Sequence, residues 1–300
     1  MKKLCVTLAL VLLAVPSLAP AEMQKAKTVD EMAKMFDSAS CKECHPEIYA
    51  QWEKSHHARP LLGVAGGPIL QPVVTASAFK IAKPEDATLK TFPCFKCHAP
   101  QITRWAEDSV GKEIAAALMK DPIDKATLGK VQITCKVCHI DVASTHRILD
   151  GKPNLPQEGV IYGSKSGAHD AKDFPKMEKS AILGQAIFCG QCHGTGPNFE
   201  FAYPVQCATL YGSYQHNYLP NGGLQSCQDC HMTEKDKVAD HTFAPNFDDK
   251  EGTKALLEKT VHLDVQTLGY SWLRKAKDLR PKVVVNTRIT HDAGHRIPDG

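Results

Sequence analysis

The sequence predicts a mainly α chain with extensive loops, organised around five short cysteine–histidine motifs and closed by a small β element at the C-terminus. Three observations predict it. The pattern Cys-x-x-Cys-His occurs five times in 300 residues. Twenty glycines and 19 prolines punctuate the stretches between the copies, and apolar periodicity of helical length is confined to a few of them. Lys282 to Thr290 reads KVVVNTRIT, a β-branched run of strand type.

The elements follow in order. Met1-Lys2-Lys3, the apolar run Leu4 to Val15 and the small-residue pattern Ala19-Pro20-Ala21 read as a signal peptide over residues 1–21, with Glu22 as the mature start. The run is too short to span a bilayer, which takes about 20 apolar residues. No later stretch is apolar enough, so no transmembrane segment is expected. Residues 22–40 read as a short amphipathic helix with Val29, Met32, Ala33 and Phe36 on one face. Pro46 to His57 reads as a helix, and 59–93 as loop-rich. Thr103 to Lys120 reads as one helix, with Trp105, Val110, Ile114 and Leu118 roughly a turn apart and Asp121-Pro122 as its stop. Lys152 to Pro175 reads as a loop, and Lys176 to Phe188 as a helix leading into the fourth motif. Residues 261–267 alternate and are expected to pair with Lys282–Thr290. The expected organisation is therefore a signal (1–21), a motif-bearing domain (22–250) and a β-rich C-terminal segment (251–300). A terminal strand without a neighbour leaves an open edge; a truncated C-terminus and a completing partner both account for it.

The motifs are Cys41-Lys42-Glu43-Cys44-His45, Cys94-Phe95-Lys96-Cys97-His98, Cys135-Lys136-Val137-Cys138-His139, Cys189-Gly190-Gln191-Cys192-His193 and Cys227-Gln228-Asp229-Cys230-His231. They hold ten of the twelve cysteines; Cys5 lies in the signal and Cys207 stands alone, most simply as a small buried residue. Disulfides are the usual fate of cysteines in an exported chain, but they do not account for a histidine after every second cysteine. Zinc needs paired half-sites or a separated histidine pair, and five is an odd number of half-sites. A redox dithiol would occur once, beside a βαβ pattern. The remaining reading is c-type haem attachment. Two intervening residues let one helical turn present both thiols to one porphyrin edge, where each sulfur adds to a vinyl group. The adjacent histidine then reaches under the iron. Five covalently attached haems c are expected, held by Cys41, Cys44, Cys94, Cys97, Cys135, Cys138, Cys189, Cys192, Cys227 and Cys230, with His45, His98, His139, His193 and His231 as proximal ligands. Such large apolar groups would substitute for a side-chain core, and the chain without them should fold poorly.

Fourteen histidines leave nine for the opposite faces of the irons. His57 comes first, twelve residues after the first motif, with His56 as the alternative. His146 lies two helical turns beyond His139 and would serve a neighbouring haem. His169, His241 and His295 complete the expected set, with His216, His262 and His291 in reserve. Met119 and Met177 are the methionine alternatives. The net charge of +3 falls towards neutral once the signal is removed, and nothing argues for nucleic acid as a partner.

With its five motifs, QWEKSHHA (51–58), CQDCHM (227–232) and AGHRIPDG (293–300), the chain is similar to the multihaem c-type cytochromes that carry electrons in the periplasm or at the outer surface of respiring bacteria. The resemblance covers nearly the whole mature chain. It implies covalent haem, mostly bis-histidine iron, little regular sheet and electron transfer in anaerobic-type respiration. It also implies a periplasmic, outer-surface or extracellular location, and donor and acceptor cytochromes or a membrane quinol oxidoreductase as partners. An electron carrier needs no substrate pocket, so this reading leans away from an enzyme. A reductase or oxidase of a small nitrogen or sulfur compound would need one iron with an open face. Related pentahaem nitrite reductases mark that iron by lysine in place of the motif histidine, and all five motifs here keep histidine. A subunit of a homo-oligomer or haem-bearing filament is the third reading, motivated by the open sheet edge.

Overall fold

The computed structural model describes residues 24–62, 81–88, 91–92, 94–144, 155–194, 209–246, 248–273 and 279–297. The signal segment, Cys5, His146 and Cys207 lie outside the described residues.

The N-terminal part is built on helices. Thr28 caps the helix Val29–Met35, its hydroxyl accepting from the Glu31 amide at 3.1 Å. This cap makes the first helix shorter than the expected 22–40. Val29, Met32 and Phe36 are buried, and Ala33 is half-buried. Their face meets the helix Asp108–Met119, whose Glu113 carboxylate accepts from the Val29 amide at 2.8 Å.

The single helix expected over 103–120 is two helices, Ile102–Trp105 and Asp108–Met119. Ala26 causes the break. Its amide donates to the Trp105 carbonyl at 2.7 Å, and its carbonyl accepts from the Glu107 amide at 2.9 Å. Those are groups that a continuous helix would use internally, and each backbone group must find its partner in one place. The stop after Met119, ahead of Asp121-Pro122, is where the sequence puts it. Likewise, the helix from Pro46 ends at Lys54 rather than His57; Ser55 is extended and His56–Ala58 form a 3₁₀ turn.

Residues from Ala26 to Val137 enclose one apolar cluster, with Phe92, Phe95, Val110, Ile114, Leu118 and Val137 fully buried. The expectation that the core comes chiefly from elsewhere is thus corrected for this part, which has a side-chain core of its own. In the C-terminal part the second buried cluster is Ala143, Val160 and Tyr162, with Leu183 and Phe188 packed on it.

The stretch read as a loop over 152–175 contains β1 (Val160–Gly163) and β2 (Gly167–Ala168). The helix read over 176–188 begins instead as β3 (Lys176–Lys179), passes through a 3₁₀ turn at Ala181–Gly184, and becomes helical only over Ala186–His193. β3 lies between parallel β1 and antiparallel β2. Its strand state comes from partners distant in sequence, which a local pattern does not report.

Two further hairpins follow. β4 (Glu234–Lys235) pairs with β5 (Val238–Ala239) just after the fifth motif. The helix Lys250–Thr260 then leads into β6 (Val261–Leu273), antiparallel to β7 (Leu279–His291) from Val261↔His291 to Leu273↔Leu279. The pairing expected between residues 261–267 and the 282–290 run is present and extends further. Leu263, Val265, Val283, Val285 and Ile289 are exposed on this ribbon.

Leu118 is fully buried in the N-terminal cluster. Leu118→Ala is expected to lower stability by about 2–5 kcal/mol through lost burial plus a cavity, read as a fall in the denaturant midpoint.

Candidate metal centres

Every one of the five motifs is helical. Motif one occupies the helix Cys41–Cys44, motif two Phe95–His98, and motif four the end of Ala186–His193. Motif three opens a helical turn that runs into the π-helical Val137–Val142. Motif five fills Cys227–His231, nucleated by a capping box between Ser226 and Asp229. On a helix the two cysteines, at i and i+3, and the histidine, at i+4, share one face. Motif four adds a close approach. A Cβ on Gly190 would lie 2.6 Å from the Tyr211 ring, so glycine is what lets that ring pack against the motif.

Four of the five motif histidines face a second histidine. His45 stands opposite His169 with ring centres 6.4 Å apart, and His193 opposite His57 at 6.2 Å. His139 stands opposite His241 at 6.3 Å, and His231 opposite His295 at 5.9 Å. Two imidazole nitrogens on opposite sides of one metal, each about 2 Å from it, with each ring centre about 1.1 Å behind its nitrogen, put the centres about 6 Å apart. The gaps therefore fit one metal ion each, and the motif thiols beside them fit covalent haem. No cluster of three or more His, Cys, Asp or Glu side chains suited to a bare metal ion occurs among the described residues.

Backbone carbonyls orient these rings. His139 Nδ1 lies 2.8 Å from the Tyr162 carbonyl, His169 Nδ1 2.8 Å from that of Phe174, and His241 Nδ1 2.8 Å from that of Ala239. His295 Nδ1 bonds Arg296 O at 2.8 Å, His98 Nδ1 bonds Pro60 O at 2.9 Å, and His231 Nδ1 bonds Ala244 O. A carbonyl only accepts, so Nδ1 carries the proton and Nε2 is left with its lone pair for a metal. Burial holds His57, His98, His139, His193, His231 and His241 below the ordinary histidine value, His57 down to about 3, so these rings are neutral. Burial likewise pushes the Cys138 thiol up to about 12.

The motifs also lie near one another, and the helices Phe95–His98 and Cys227–His231 both pack against Ala186–His193. The Cys41 thiol interacts with that of Cys135, Cys97 with Cys192, and Cys189 with Cys227. Cys138 of motif three acts on both Cys189 and Cys192. Motif one thus adjoins three, three adjoins four, and four adjoins both two and five.

Of the expected distal histidines, the structure brings His57, His169, His241 and His295 opposite motif histidines, while His146 lies outside the described residues. Among the described residues no histidine ring stands opposite His98. His262 is on β6 and bonds Asp292 at 2.8 Å. Met177 sits on β3, not on a helix.

The supporting residues have no sequence signature. Asn246, fully buried, donates from Nδ2 to the Lys54 carbonyl at 3.0 Å and to the Thr242 carbonyl at 3.2 Å. Gln51 Oε1 accepts from the His241 amide at 2.9 Å. Arg59 pairs with Asp248 at 2.6 Å. Together they tie the segment 241–248 to the helix Pro46–Lys54 and so join the surroundings of His241 to those of His57. Trp52 Nε1 donates to Ile133 O at 2.8 Å, and the Ile133 amide donates to His57 O at 2.9 Å, which ties the same region to motif three. Asp141 accepts from Arg104 at 2.9 Å and Trp105 Nε1 at 2.8 Å, linking motif three to the N-terminal core.

A model of the family described as cytochrome c554 and c-prime matches residues 40–64, which hold the first motif and His57. No curated protein sequence matches the chain. The fold is similar to the crystal structure of a penta-heme cytochrome c552 from Thermochromatium tepidum, at 20% identity and a TM-score of 0.54, over 88% of this chain and 67% of that one.

Asn246→Ala leaves the Lys54 carbonyl without that donor and is expected to cost about 1–3 kcal/mol, measured as a lower denaturation midpoint.

Proposed function

We propose that this chain, a multihaem c-type cytochrome, carries electrons along a path of five covalently bound haems between redox partners of anaerobic-type respiration. The observation that carries the reading is the set of opposed histidine pairs, each joining one CxxCH histidine to a histidine from elsewhere in the chain. Haem, when bound, supplies an iron that alternates between ferric and ferrous states. The chain's own residues do the rest. With haem bound, the paired imidazoles would both ligate its iron, which favours electron transfer over substrate binding. Backbone carbonyls on Nδ1 fix ring direction and ligand basicity. Contacts between motifs one and three, three and four, four and five, and two and four favour a branched path with motif four as its junction.

In this reading Cys41, Cys44, Cys94, Cys97, Cys135, Cys138, Cys189, Cys192, Cys227 and Cys230 hold the haems. His45, His57, His98, His139, His169, His193, His231, His241 and His295 ligate iron, with His146 as the tenth. Residues 1–21 are an export signal, and the partners are donor and acceptor cytochromes or a membrane quinol oxidoreductase met outside the cytoplasm. No helix among the described residues is long and apolar enough to cross a membrane. The similarity in fold to a penta-heme cytochrome c552 supports the number five.

A second reading is a reductase or oxidase of a small nitrogen or sulfur compound, which would need one iron with an open face.

Two measurements test these readings. Intact mass is expected to show five haems, and the double variant Cys227→Ser/Cys230→Ser one fewer. Low-temperature EPR of the oxidised holoprotein is expected to show every haem low-spin, with His169→Ala turning one haem high-spin at an unchanged haem count. A high-spin signal of about one haem in five in the unaltered protein would replace the carrier reading with the enzyme reading.

A further inference from the structure

The four opposed histidine pairs are not alike. His45/His169, His139/His241 and His231/His295 have ring planes within 11°, 28° and 19° of parallel. His57/His193 are crossed at 76°. In each near-parallel pair at least one Nδ1–H donates to a backbone carbonyl: His169; both His139 and His241; both His231 and His295. His57 Nδ1 is buried and has no hydrogen-bond partner among the described residues.

Phe243 accounts for the crossed geometry. Its ring meets His57 edge to face at 4.4 Å and 89°, and meets His241 at 5.8 Å and 78°. It is therefore wedged between two histidines that face different motifs. Its φ is +52°, in the left-handed region that side chains other than glycine and asparagine rarely adopt. The segment holding it there is fixed by buried Asn246 and by Asp240, whose Oδ1 accepts from both the amide and the hydroxyl of Thr242 at 2.7 Å.

We infer that Phe243 is a positioning residue that holds the His57 ring crosswise to His193, and so makes the centre at motif four the most readily reduced of the four with opposed histidines. The inference rests on the haem-ligand reading above. Three effects act in the same direction. Each imidazole donates π density perpendicular to its own plane. Parallel rings donate into the same iron d orbital and separate it from its neighbour, which steadies the ferric state; crossed rings donate one into each and leave the two orbitals close in energy. The His57 Nδ1–H, without an acceptor, makes that ring a less basic ligand than its hydrogen-bonded counterparts, and a weaker donor favours ferrous iron. Burial around His57 penalises the extra positive charge of the ferric state. With haem bound, the electron that reduces the centre at motif four would be given up by the centre at a neighbouring motif, which would be oxidised by one electron. Because motif four adjoins motifs two, three and five, the junction of the path is where an electron comes to rest.

The test uses the holoprotein, EPR of the oxidised form and a spectroscopic redox titration. The unaltered protein is expected to give one strongly anisotropic low-spin signal, with its largest g value well above those of the rhombic signals, from the first of these four haems to be reduced. His57→Ala is expected to abolish that signal and create one high-spin haem. Phe243→Gly suits the left-handed backbone without strain and removes the wedge. It is expected to convert the anisotropic signal to a rhombic one and move that haem later in the order of reduction, with five haems retained; Phe243→Tyr should keep the original behaviour. If His57→Ala leaves all haems low-spin, the ligand reading falls and the inference with it. If His57→Ala behaves as expected but Phe243→Gly changes neither signal nor order, the ligands stand and the role given to Phe243 is wrong. An unaltered protein with only rhombic signals overturns the inference directly.

Discussion

The feature on which this structure depends is the pairing of histidine rings whose centres lie 5.9 to 6.4 Å apart. Each motif histidine is placed locally, by a helical turn. Its partner comes from a different segment, so every pair closes a long loop: His45 with His169, His57 with His193, His139 with His241, and His231 with His295. Loop closure of this kind costs conformational entropy, and the C-terminal part has little side-chain core to offset it. The hydrogen bonds from ring Nδ1 to backbone carbonyls convert these closures into defined ring directions.

The two parts of the molecule meet this cost differently. From Ala26 to Val137 a conventional apolar cluster fixes the helices that carry motifs two and three. Beyond it, order comes from polar ties. Asn246, Gln51 and the Arg59–Asp248 pair bind the segment 241–248 to the helix Pro46–Lys54. One short segment thereby positions His241 opposite motif three and Phe243 against His57, so the surroundings of two centres are mechanically joined. A buried amide suits this place because its two donors and one acceptor are all satisfied there.

Crossed and near-parallel histidine pairs occur in one chain, so one residue type stands in unequal surroundings. Ring rotation, Nδ1 bonding and burial are set by neighbours of the ligands, not by the ligands themselves. Contacts among the motifs then give such inequality a direction, since motif four is the one that adjoins three others.

The sequence alone determined what depends on residues a few positions apart. The five helical motif turns, the helix Asp108–Met119 with its stop before Pro122, and the pairing of β6 with β7 rest on i, i+3, i+4 or alternating patterns, and all were legible. The sequence also narrowed the histidines outside the motifs to nine candidates, and four of them lie beside motif histidines in the structure. What only the tertiary structure decided depends on groups far apart in the chain. Ala26 takes the backbone partners that would have made 103–120 one helix. β1 turns Lys176–Lys179 from an expected helix into a strand. Which histidine faces which motif, and that Phe243 turns one of them, follows from where separate segments pack. Periodicity reports a residue's own face, whereas a facing pair is a property of two segments brought together by the whole fold.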